Sequence, residues 1–575
     1  MPTDNETIAG IFDEIADLLE IEGDNPFRIR AYHNAARNLR ALNRDVRRMR
    51  NAGEDLTDFP GIGKDLAGKI GEILDTGRCR ALEKLRKKVP PDLGELLRLP
   101  GIGPKRVHAL YHELDIQNLD QLERAARDGE IRELSGFGPR TEARILEAVA
   151  KHRDSERRFK LAEAARYAEP LKAWLKGGKD IEQVVIAGSY RRAKETVGDL
   201  DILVIARAGK QAIKHFTGYE DIDSIVSSGT TRATVILNNG LQVDLRVVPK
   251  VNYGAALYYF TGSKAHNIAT RRIARKRSWK INEYGLYEGD KRIAGETEVS
   301  LFKQLGLAYI EPELRENRGE IEAAREDSLP KLVKLGDLRG DLHCHTRASD
   351  GRGSLKVMAE AARDQGLEYL AITEHSQHLT VAHGLDRDRL LKQIDAIAEL
   401  NEGLNGISLL TGIEVDILKD GNLDLPDEVL ERLDLVIGAV HSRFNLSRKK
   451  QTERILRARD SPHCTLLAHP SGRLLDKREP YAVDMERIIR QAAQRGCYLE
   501  LNANPERLDL LDSHCRLAKE EGVRVSINSD AHAPAEFDHL RFGIGQARRG
   551  WLEKDDVLNT RSQTALRKLL KQTRQ

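Results

Sequence analysis

The sequence predicts a multidomain protein in which an all-helical N-terminal region precedes an α+β domain and a C-terminal barrel of alternating strands and helices. A chain of 575 residues is too long for a single hydrophobic core. A Gly-x-Gly turn between helical segments occurs three times in the first 160 residues, and short β-rich runs begin near residue 180. After residue 339 short apolar strands alternate with helices, as they do in a βα barrel.

The composition indicates a soluble globular protein. Hydrophobic residues make up 40% of the chain and charged residues 32%, and no run of about 18 apolar residues predicts a transmembrane helix. The N-terminus is polar and acidic, unlike a signal peptide, and the five cysteines lack CxxC spacing, which indicates reduced thiols in a cytoplasmic protein. A net charge of +3 does not by itself indicate a nucleic-acid binder, so DNA contacts must come from local basic patches such as 271–277.

The three glycine turns predict contacts with an anionic backbone. Glycine permits a tight turn, and the N-terminus of the helix that follows offers free backbone N–H groups to a phosphate. The repeat resembles helix-hairpin-helix modules, which hold DNA phosphates without reading the base sequence. The alternative is three ordinary turns between helices. The glycines that we expect to contact DNA are Gly61, Gly63, Gly101, Gly103, Gly136 and Gly138.

Paired aspartates in the middle domain predict a site for phosphoryl transfer. Asp199 and Asp201 lie two residues apart on a predicted strand, so both side chains point to one face, and Asp244 on a neighbouring strand can complete the set. Carboxylates are hard ligands that suit two Mg²⁺ or Mn²⁺ ions, which support in-line transfer at phosphorus. Ser189 and Arg192, directly after a predicted strand, are placed to hold triphosphate oxygens. The alternative is an acidic turn that binds no metal.

These motifs resemble the family X DNA polymerases, the DNA polymerase beta group, and the resemblance covers about residues 1–316. The resemblance implies that the three aspartates are catalytic, that Tyr259 and Phe260 press on the deoxyribose, and that Glu283 pairs with Arg246. It also implies a set of residues that bind the nucleotide or the nascent base pair, namely Gly188, Ser189, Arg192, Gly198, Tyr259, Phe260, Gly262, Asn267 and Arg271.

The same resemblance raises the question of a second activity near the first glycine turn. Family members with lyase activity use a lysine in the following helix to form a Schiff base with an abasic sugar, and Lys69 stands at the matching position. The attacking amine must be unprotonated, and Asp65 opposes this. The alternative is that Lys69 is a surface lysine or a phosphate contact.

Histidines and carboxylates after residue 340 predict a metal site. Most of them follow predicted strands, and barrel active sites lie where strands end. Imidazole and carboxylate ligands suit Zn²⁺, Mn²⁺ or Fe, which activate water for attack on phosphorus. A lone histidine is more often an ordinary core or surface residue. The nine candidates are His343, His345, Asp350, His375, Glu414, His441, His469, Asp530 and His532.

This region, about residues 339–570, resembles the polymerase-and-histidinol-phosphatase (PHP) domain. The resemblance implies a distorted (β/α)₇ barrel with up to three metal ions, and all nine ligand positions are filled here. Glu374 stands where many members have aspartate, but it is not one of the nine.

The domain boundaries follow from these changes of pattern. We expect an N-terminal helical domain over 1–90, a second helical DNA-binding region over 91–165, a nucleotidyltransferase palm over 166–255, a thumb-like nascent-base-pair-binding subdomain over 256–316, a charged linker over 317–338, and the PHP domain over 339–575.

Together the two sites predict a repair enzyme. We expect a bacterial, cytoplasmic, nucleoid-associated monomer that fills short gaps in gapped or nicked DNA with dNTPs during base excision repair. Its PHP domain would act as a metal-dependent 3′-5′ exonuclease, and removal of 3′-phosphates or cutting at abasic sites would suit the same site. The alternative is the same polymerase with a PHP domain that is structural or acts on another phosphoester. A DNA-binding scaffold without chemistry and a phosphatase of small metabolites are weaker alternatives.

Overall fold

The computed structural model describes residues 5–573 except 42–45, 52, 59–60, 87, 91–92, 98, 100 and 157. The chain divides into two compact units, Met1–Arg157 and Arg158–Gln575. Each unit is described separately below. None of the described helices is long and apolar enough to cross a membrane.

The N-terminal unit is built from helices around one apolar core. Residues such as Phe12, Leu39, Ile70 and Leu122 are almost completely buried there, which matches the helical spacing of the apolar residues. The helices are α1 (Asn5–Ile21), α2 (Pro26–Ala41), α3 (Val46–Asn51), α4 (Lys64–Thr76), α5 (Arg80–Arg86), α6 (Leu93–Leu96), α7 (Pro104–Leu114), α8 (Leu119–Asp128) and α9 (Pro139–Glu156).

The glycine turns precede α4, α7 and α9. The first glycine of each turn has a positive φ angle, at 79° for Gly61, 86° for Gly101 and 82° for Gly136, a conformation that favours glycine. Gly63 and Gly103 have extended backbones and cap α4 and α7 without a side-chain hydrogen bond, so no capping side chain occupies the first N–H groups of these helices. Pro60 and Pro100, which precede two of the turns, lie outside the described residues.

The second unit begins with a five-stranded sheet. Its strand order is β2-β4-β7-β6-β5, and β4 runs parallel to β7 while the other neighbours are antiparallel. The elements are β1 (Phe159–Lys160), α10 (Leu161–Lys176), β2 (Ile181–Ile186), α11 (Gly188–Arg191), β3 (Thr196–Val197), β4 (Asp199–Ala206), α12 (Gly209–Phe216), β5 (Ile222–Ser228), β6 (Arg232–Leu237) and β7 (Gln242–Val247).

A small helical subdomain with a three-stranded sheet follows. Its elements are α13 (Tyr253–Thr261), α14 (Lys264–Lys276), β8 (Trp279–Asn282), β9 (Gly285–Glu288), β10 (Lys291–Ala294), α15 (Glu298–Gln304) and α16 (Glu320–Arg325). Helix α16 falls within 317–338, the segment that the sequence suggests as a linker. Ile321 on this helix is buried in the core of the small subdomain, and Val333 donates a 3.0 Å backbone hydrogen bond to Leu552 of the barrel.

The C-terminal part is a barrel-like sheet of seven parallel strands in chain order, as the sequence predicts. The consecutive parallel strands bring their C-terminal ends to one face. The elements are β11 (Gly340–Asp341), α17 (Leu355–Asp364), β12 (Tyr369–Ile372), α18 (Arg387–Gly403), β13 (Ser408–Asp416), α19 (Asp427–Leu430), β14 (Leu435–Ala439), α20 (Arg448–Arg459), β15 (Leu466–Leu467), α21 (Met485–Arg495), β16 (Tyr498–Asn502), α22 (Asp512–Glu520), β17 (Val525–Asn528), α23 (Leu540–Arg549) and α24 (Gln563–Gln572).

Candidate active sites

The three aspartates of the middle domain lie on two adjoining strands. Asp199 and Asp201 belong to β4, and Asp244 on the parallel strand β7 is the direct neighbour of Asp201 in the register. The oxygens of Asp244 accept hydrogen bonds from Thr234 Oγ1 at 2.6 Å and from Gln242 Nε2 at 2.7 Å. The carboxylates therefore meet on one face of the sheet, as the two-residue spacing predicts.

The electrostatics of this cluster fit a cation site. Burial, together with the charges of Asp199 and Asp244, raises the pKa of Asp201 to about 7. Burial and Asp244 likewise raise the pKa of Asp199. The positive charges of Arg246 and Arg192 offset only part of this repulsion at Asp201. Buried like charges favour binding of a cation, and Mg²⁺ or Mn²⁺ would relieve the repulsion.

The Gly188 turn packs directly against Asp201. It follows strand β2, and Gly188 has a φ angle of 62°. A Cβ atom on Gly188 would lie 2.7 Å from Asp201 Oδ2, so glycine is required both by the backbone and by the space. Ser189 follows within α11, and Gly198 directly precedes β4. The turn thus places the residues predicted to hold triphosphate beside the carboxylates.

Arg192, another predicted triphosphate residue, is held by protein groups. Its Nε donates a 3.0 Å hydrogen bond to Glu316 Oε1, and its Nη1 donates to the carbonyl of Thr261. A Cβ atom on Gly262 would lie 3.3 Å from the same Nη1, so Gly262 and Arg192 are neighbours.

The residues predicted to contact the sugar and the base pair cluster at the end of α13. The rings of Tyr259 and Phe260 meet edge to face, with centroids 5.1 Å apart. Arg271 lies over the Tyr259 ring at 5.2 Å, and Asn267 donates a 2.8 Å hydrogen bond to the Tyr259 carbonyl. Arg246 lies 4.5 Å from the centre of the Phe260 ring, and no ion pair joins it to Glu283 in the described part of the chain.

Lys69 lies on α4 of the N-terminal unit, 5.8 Å from the centre of the Tyr32 ring. Its Nζ donates a 2.5 Å hydrogen bond to Asp65, one helical turn earlier. Burial acts to lower the pKa of Lys69, but the hydrogen bond to Asp65 and the charges of Tyr32 and Asp65 outweigh it, so the pKa is raised. An open groove of about 690 Å³ lies beside Lys69. Its charged lining residues are the basic Arg28, Lys64, Lys69, Arg80, Lys84 and Lys88 and the acidic Glu22, Asp24, Asp65 and Glu72.

The nine predicted ligands of the barrel come together where its strands end. His343 and His345 follow β11, His375 follows β12, and His441 follows β14. Glu414 lies near the end of β13, His469 follows β15, and the last two candidates follow β17. The C-terminal ends of the strands therefore supply the site, as the barrel interpretation predicts.

The candidate ligand atoms form three overlapping groups, and within each group the atoms all lie within 4.8 Å of one another. They are His345, Asp350, His375 and His532; His343, His345 and Asp530; and His375, Glu414 and His441. His469, the ninth candidate, has its Nε2 atom 2.8 Å from Glu414 Oε1. His345 and His375 each belong to two groups, so the three groups form one continuous set of donor atoms. The palm aspartates form no such group among the described residues.

Several donor atoms in the barrel are buried without a hydrogen-bond partner in the described structure. They include His343 Nε2 and both ring nitrogens of His345. His343 Nε2 lies 3.5 Å from both Glu414 Oε2 and Asp530 Oδ1. Burial raises the pKa of Glu414 and Asp530, but the neighbouring histidines outweigh it and hold both values well below the ordinary range. Unpartnered nitrogens beside ionised carboxylates are the donor set that a transition metal needs.

Sequence reasoning missed the groups that orient these ligands. Glu500 accepts a 2.7 Å hydrogen bond from His343 Nδ1, and Asp416 lies 3.2 Å from His441 Nδ1. Such partners fix the ring so that the other nitrogen faces the metal. For Glu500 the signal was a carboxylate inside the predicted strand Tyr498–Leu501, which an apolar core does not explain, whereas no strand was predicted around Asp416.

Three further residues complete the surroundings of the ligands. Asn502 donates a 3.1 Å hydrogen bond to Asp530, and the guanidinium of Arg507 lies 3.7 Å from the same carboxylate. Glu374 accepts hydrogen bonds from Thr346 and Ser349 and so supports the loop that carries Asp350.

Comparisons with known proteins match each part of the chain to a described family. The matched families are the helix-hairpin-helix domain (residues 3–79), the SAM-like helix-hairpin-helix tandem (93–151), the DNA polymerase beta palm (161–256), the DNA polymerase beta thumb (256–316) and the PHP domain (341–504).

Three curated relatives cover different parts of the chain. The DNA polymerase/3′-5′ exonuclease PolX of Bacillus subtilis is 38% identical over 96% of this chain and 97% of its own length. Rat DNA polymerase lambda is 26% identical over 52% of this chain and 54% of its own length. A probable phosphatase of Thermoanaerobacter sp. is 28% identical over 38% of this chain and 89% of its own length. The chain therefore belongs to the PolX family, in which the palm and thumb of a DNA polymerase beta-like enzyme are joined to a PHP domain.

Proposed function

We propose that the protein is a gap-filling repair DNA polymerase whose PHP domain is a metal-dependent 3′-5′ exonuclease. The observation that carries the proposal is that one chain holds two separate clusters of candidate metal ligands. One is the carboxylate cluster of Asp199, Asp201 and Asp244, and the other is the histidine-rich cluster at the end of the barrel. The PolX relative bears both activities in its name.

In the polymerase site, the chain's own residues bind and align the substrates. Ser189 and Arg192 hold the triphosphate, the Tyr259 and Phe260 rings pack against the deoxyribose, and Asn267 and Arg271 face the nascent base pair. The three aspartates would hold two Mg²⁺ or Mn²⁺ ions. When bound, these ions stabilise charge on the attacking and leaving oxygens. The glycine turns of the N-terminal unit hold the DNA backbone.

In the PHP site, the nine ligands would hold up to three Zn²⁺, Mn²⁺ or Fe ions. When bound, these ions activate water for attack on a phosphodiester. Glu500 and Asp416 keep the imidazoles of His343 and His441 in the orientation that presents a free nitrogen. Cleavage leaves a 3′-OH, which is the group that the polymerase site extends. The two activities therefore serve one repair reaction on gapped or nicked DNA, carried out by a monomer.

The proposal is tested with a 5′-labelled primer in a one-nucleotide gap. With Mn²⁺ and the matching dNTP, the wild-type protein should extend the primer by one nucleotide; without dNTP, it should shorten the primer from its 3′ end. Chelation should stop both reactions. A wild-type protein that binds metal but never shortens the primer would make the PHP domain a structural module.

The probable phosphatases among the relatives favour a second substrate for the PHP site. The same primer carrying a 3′-phosphate should be converted to a 3′-OH end. A small phosphomonoester such as p-nitrophenyl phosphate should be a poorer substrate than the DNA end. A preference for the small ester would instead support a phosphatase of metabolites.

The lysines and arginines that line the groove beside Lys69 outnumber its acidic residues and support a phosphate contact, and we propose that Lys69 attacks an abasic sugar only after losing its proton. Because Asp65 raises the pKa of Lys69, the free amine is scarce at neutral pH. The Asp65→Asn variant should lower the pKa of Lys69 and increase borohydride trapping of the Schiff base several-fold at pH 7.5. As the pH is raised, trapping of the Schiff base should begin to increase at a lower pH in Asp65→Asn than in the wild-type protein.

Asp75 provides the matched control on the same helix, because it pairs with Arg50 at 2.6 Å and not with Lys69. The Asp75→Asn variant should trap at the wild-type rate, and Lys69→Ala should not trap. Slower trapping by Asp65→Asn would show that Asp65 assists the attack, and trapping by Lys69→Ala would place the nucleophile elsewhere.

A further inference from the structure

The PHP barrel packs directly against the polymerase palm. Phe542 on α23 and Leu508 after β16 are buried in the apolar core of the palm. A Cβ atom on Gly545 would lie 2.8 Å from the Cβ of Ala193, which directly follows Arg192. Lys160 on β1, just before the palm, pairs with Glu506 of the barrel at 2.6 Å. Helix α23 of the barrel therefore packs against the turn that carries the predicted nucleotide-binding residues.

Arg549, the last residue of α23, joins the two parts through Glu316. Its Nη1 donates a 2.9 Å hydrogen bond to Glu316 Oε1, the oxygen that also accepts from Arg192 Nε. The same Nη1 lies 3.0 Å from the carbonyl oxygen of Arg192, and Nη2 donates a 2.8 Å hydrogen bond to Asp512. Asp512 in turn pairs with Arg318 at 2.9 Å.

These groups are withdrawn from water, so their charges are weakly screened. The side chains of Arg192, Glu316 and Arg549 are 12%, 13% and 3% exposed. Burial raises the pKa of Glu316, but Arg192 and Arg549 outweigh it and keep the carboxylate ionised. The three side chains therefore carry one net positive charge. Without Arg549, the Glu316 carboxylate would neutralise the charge of Arg192, and the attraction of this group for a triphosphate would be lost.

We infer that Arg549 of the PHP domain is a positioning residue for the polymerase site, because it shares Glu316 with Arg192 and so keeps a net positive charge beside the residues proposed to bind the triphosphate. The inference rests on the proposed polymerase function. It gives the PHP domain a second role that does not depend on its metal ligands. It also provides a physical route between the two parts of the enzyme, which the sequence alone does not reveal.

The test is the binding of a correct dNTP to full-length protein on a one-nucleotide gap with a dideoxy-terminated primer and Mg²⁺. The Arg549→Ala variant should raise the Kd for dNTP about tenfold, because a buried charge within about 10 Å acts through an effective dielectric constant of about 20. On an extendable primer, KM for dNTP should rise equally, while kcat stays within about twofold. Arg549→Lys, which keeps the charge, should recover part of the affinity.

A variant that restores the net charge distinguishes an electrostatic role of Arg549 from a role in holding the two domains together. The double variant Arg549→Ala/Glu316→Gln restores one net positive charge and should return the Kd towards the wild-type value. Arg548 is the matched control: it lies beside Arg549 on α23 and pairs with Glu313 at 2.7 Å, away from Arg192. Arg548→Ala should leave the Kd unchanged. All variants should retain the wild-type rate of primer shortening, which reports an intact PHP domain.

Each outcome decides the inference. An unchanged Kd in Arg549→Ala overturns it, as does an equal rise in Arg548→Ala or a double variant no better than Arg549→Ala alone. A wild-type protein that neither binds dNTP on gapped DNA nor extends the primer overturns the polymerase function itself. That result differs from a failure of the inference, because it is seen with the wild-type protein before any variant is compared.

Discussion

Replacing Asp201 with alanine is expected to abolish gap filling while leaving 3′ degradation intact. Asp201 lies on β4 opposite Asp244 and against the Gly188 turn, so its carboxylate is central to the cluster that we propose as the polymerase site. A bound metal ion contributes several kcal/mol of transition-state stabilisation, and each 1.36 kcal/mol is a factor of ten. We therefore expect extension of a 5′-labelled primer in a one-nucleotide gap to fall about 10³-fold, measured as single-turnover rates.

Asp223 offers a control in the same sheet, because it is an exposed aspartate on β5. Asp223→Ala should extend the primer at the wild-type rate. Both variants should shorten the primer normally when dNTP is withheld. If Asp201→Ala still fills the gap, the polymerase site lies elsewhere; if it loses both activities, the two sites are not independent.

The sequence predicts which side chains of each candidate site lie together, because strand geometry constrains their positions. Aspartates two apart on a strand must share a face, and residues that follow parallel strands must meet at one end of the sheet. These rules bring together Asp199, Asp201 and Asp244, and they bring His375, His441 and His469 to one end of the barrel. The i to i+4 spacing of Asp65 and Lys69 on α4 likewise predicts the contact that the structure shows.

Other features depend on distant contacts that no local pattern encodes. Strand β5 (Ile222–Ser228) was not predicted, because it is a largely exposed strand at the end of the sheet order without a regular alternation of apolar residues. Arg192 is 124 residues from Glu316, and Glu316 is 233 residues from Arg549, so only the folded chain reveals their contact. The segment 317–338 is charged in sequence, yet its helix α16 buries Ile321 against the small subdomain.

Replacing Glu414 with glutamine is expected to abolish the shortening of primers and to lower the metal content of the protein. Its two oxygens lie 3.5, 2.8, 3.2 and 2.8 Å from nitrogens of His343, His375, His441 and His469, respectively. Glutamine keeps the volume but removes the negative charge that balances these imidazoles and any bound cations. Removing a residue that orients a metal ligand typically lowers activity roughly 10- to 100-fold, and we expect the exonuclease rate of Glu414→Gln to fall by more than this.

The measurement combines metal analysis of the purified protein with primer degradation in Mn²⁺. Glu428→Gln, an exposed change on α19, should behave as wild type in both assays. Glu414→Gln should still fill gaps at the wild-type rate, which shows that the variant is folded. Full metal content with full degradation would remove Glu414 from the ligand set. Loss of metal with unchanged degradation would mean that the 3′-5′ activity does not come from the PHP site, because that chemistry requires the ions that Glu414 helps to hold.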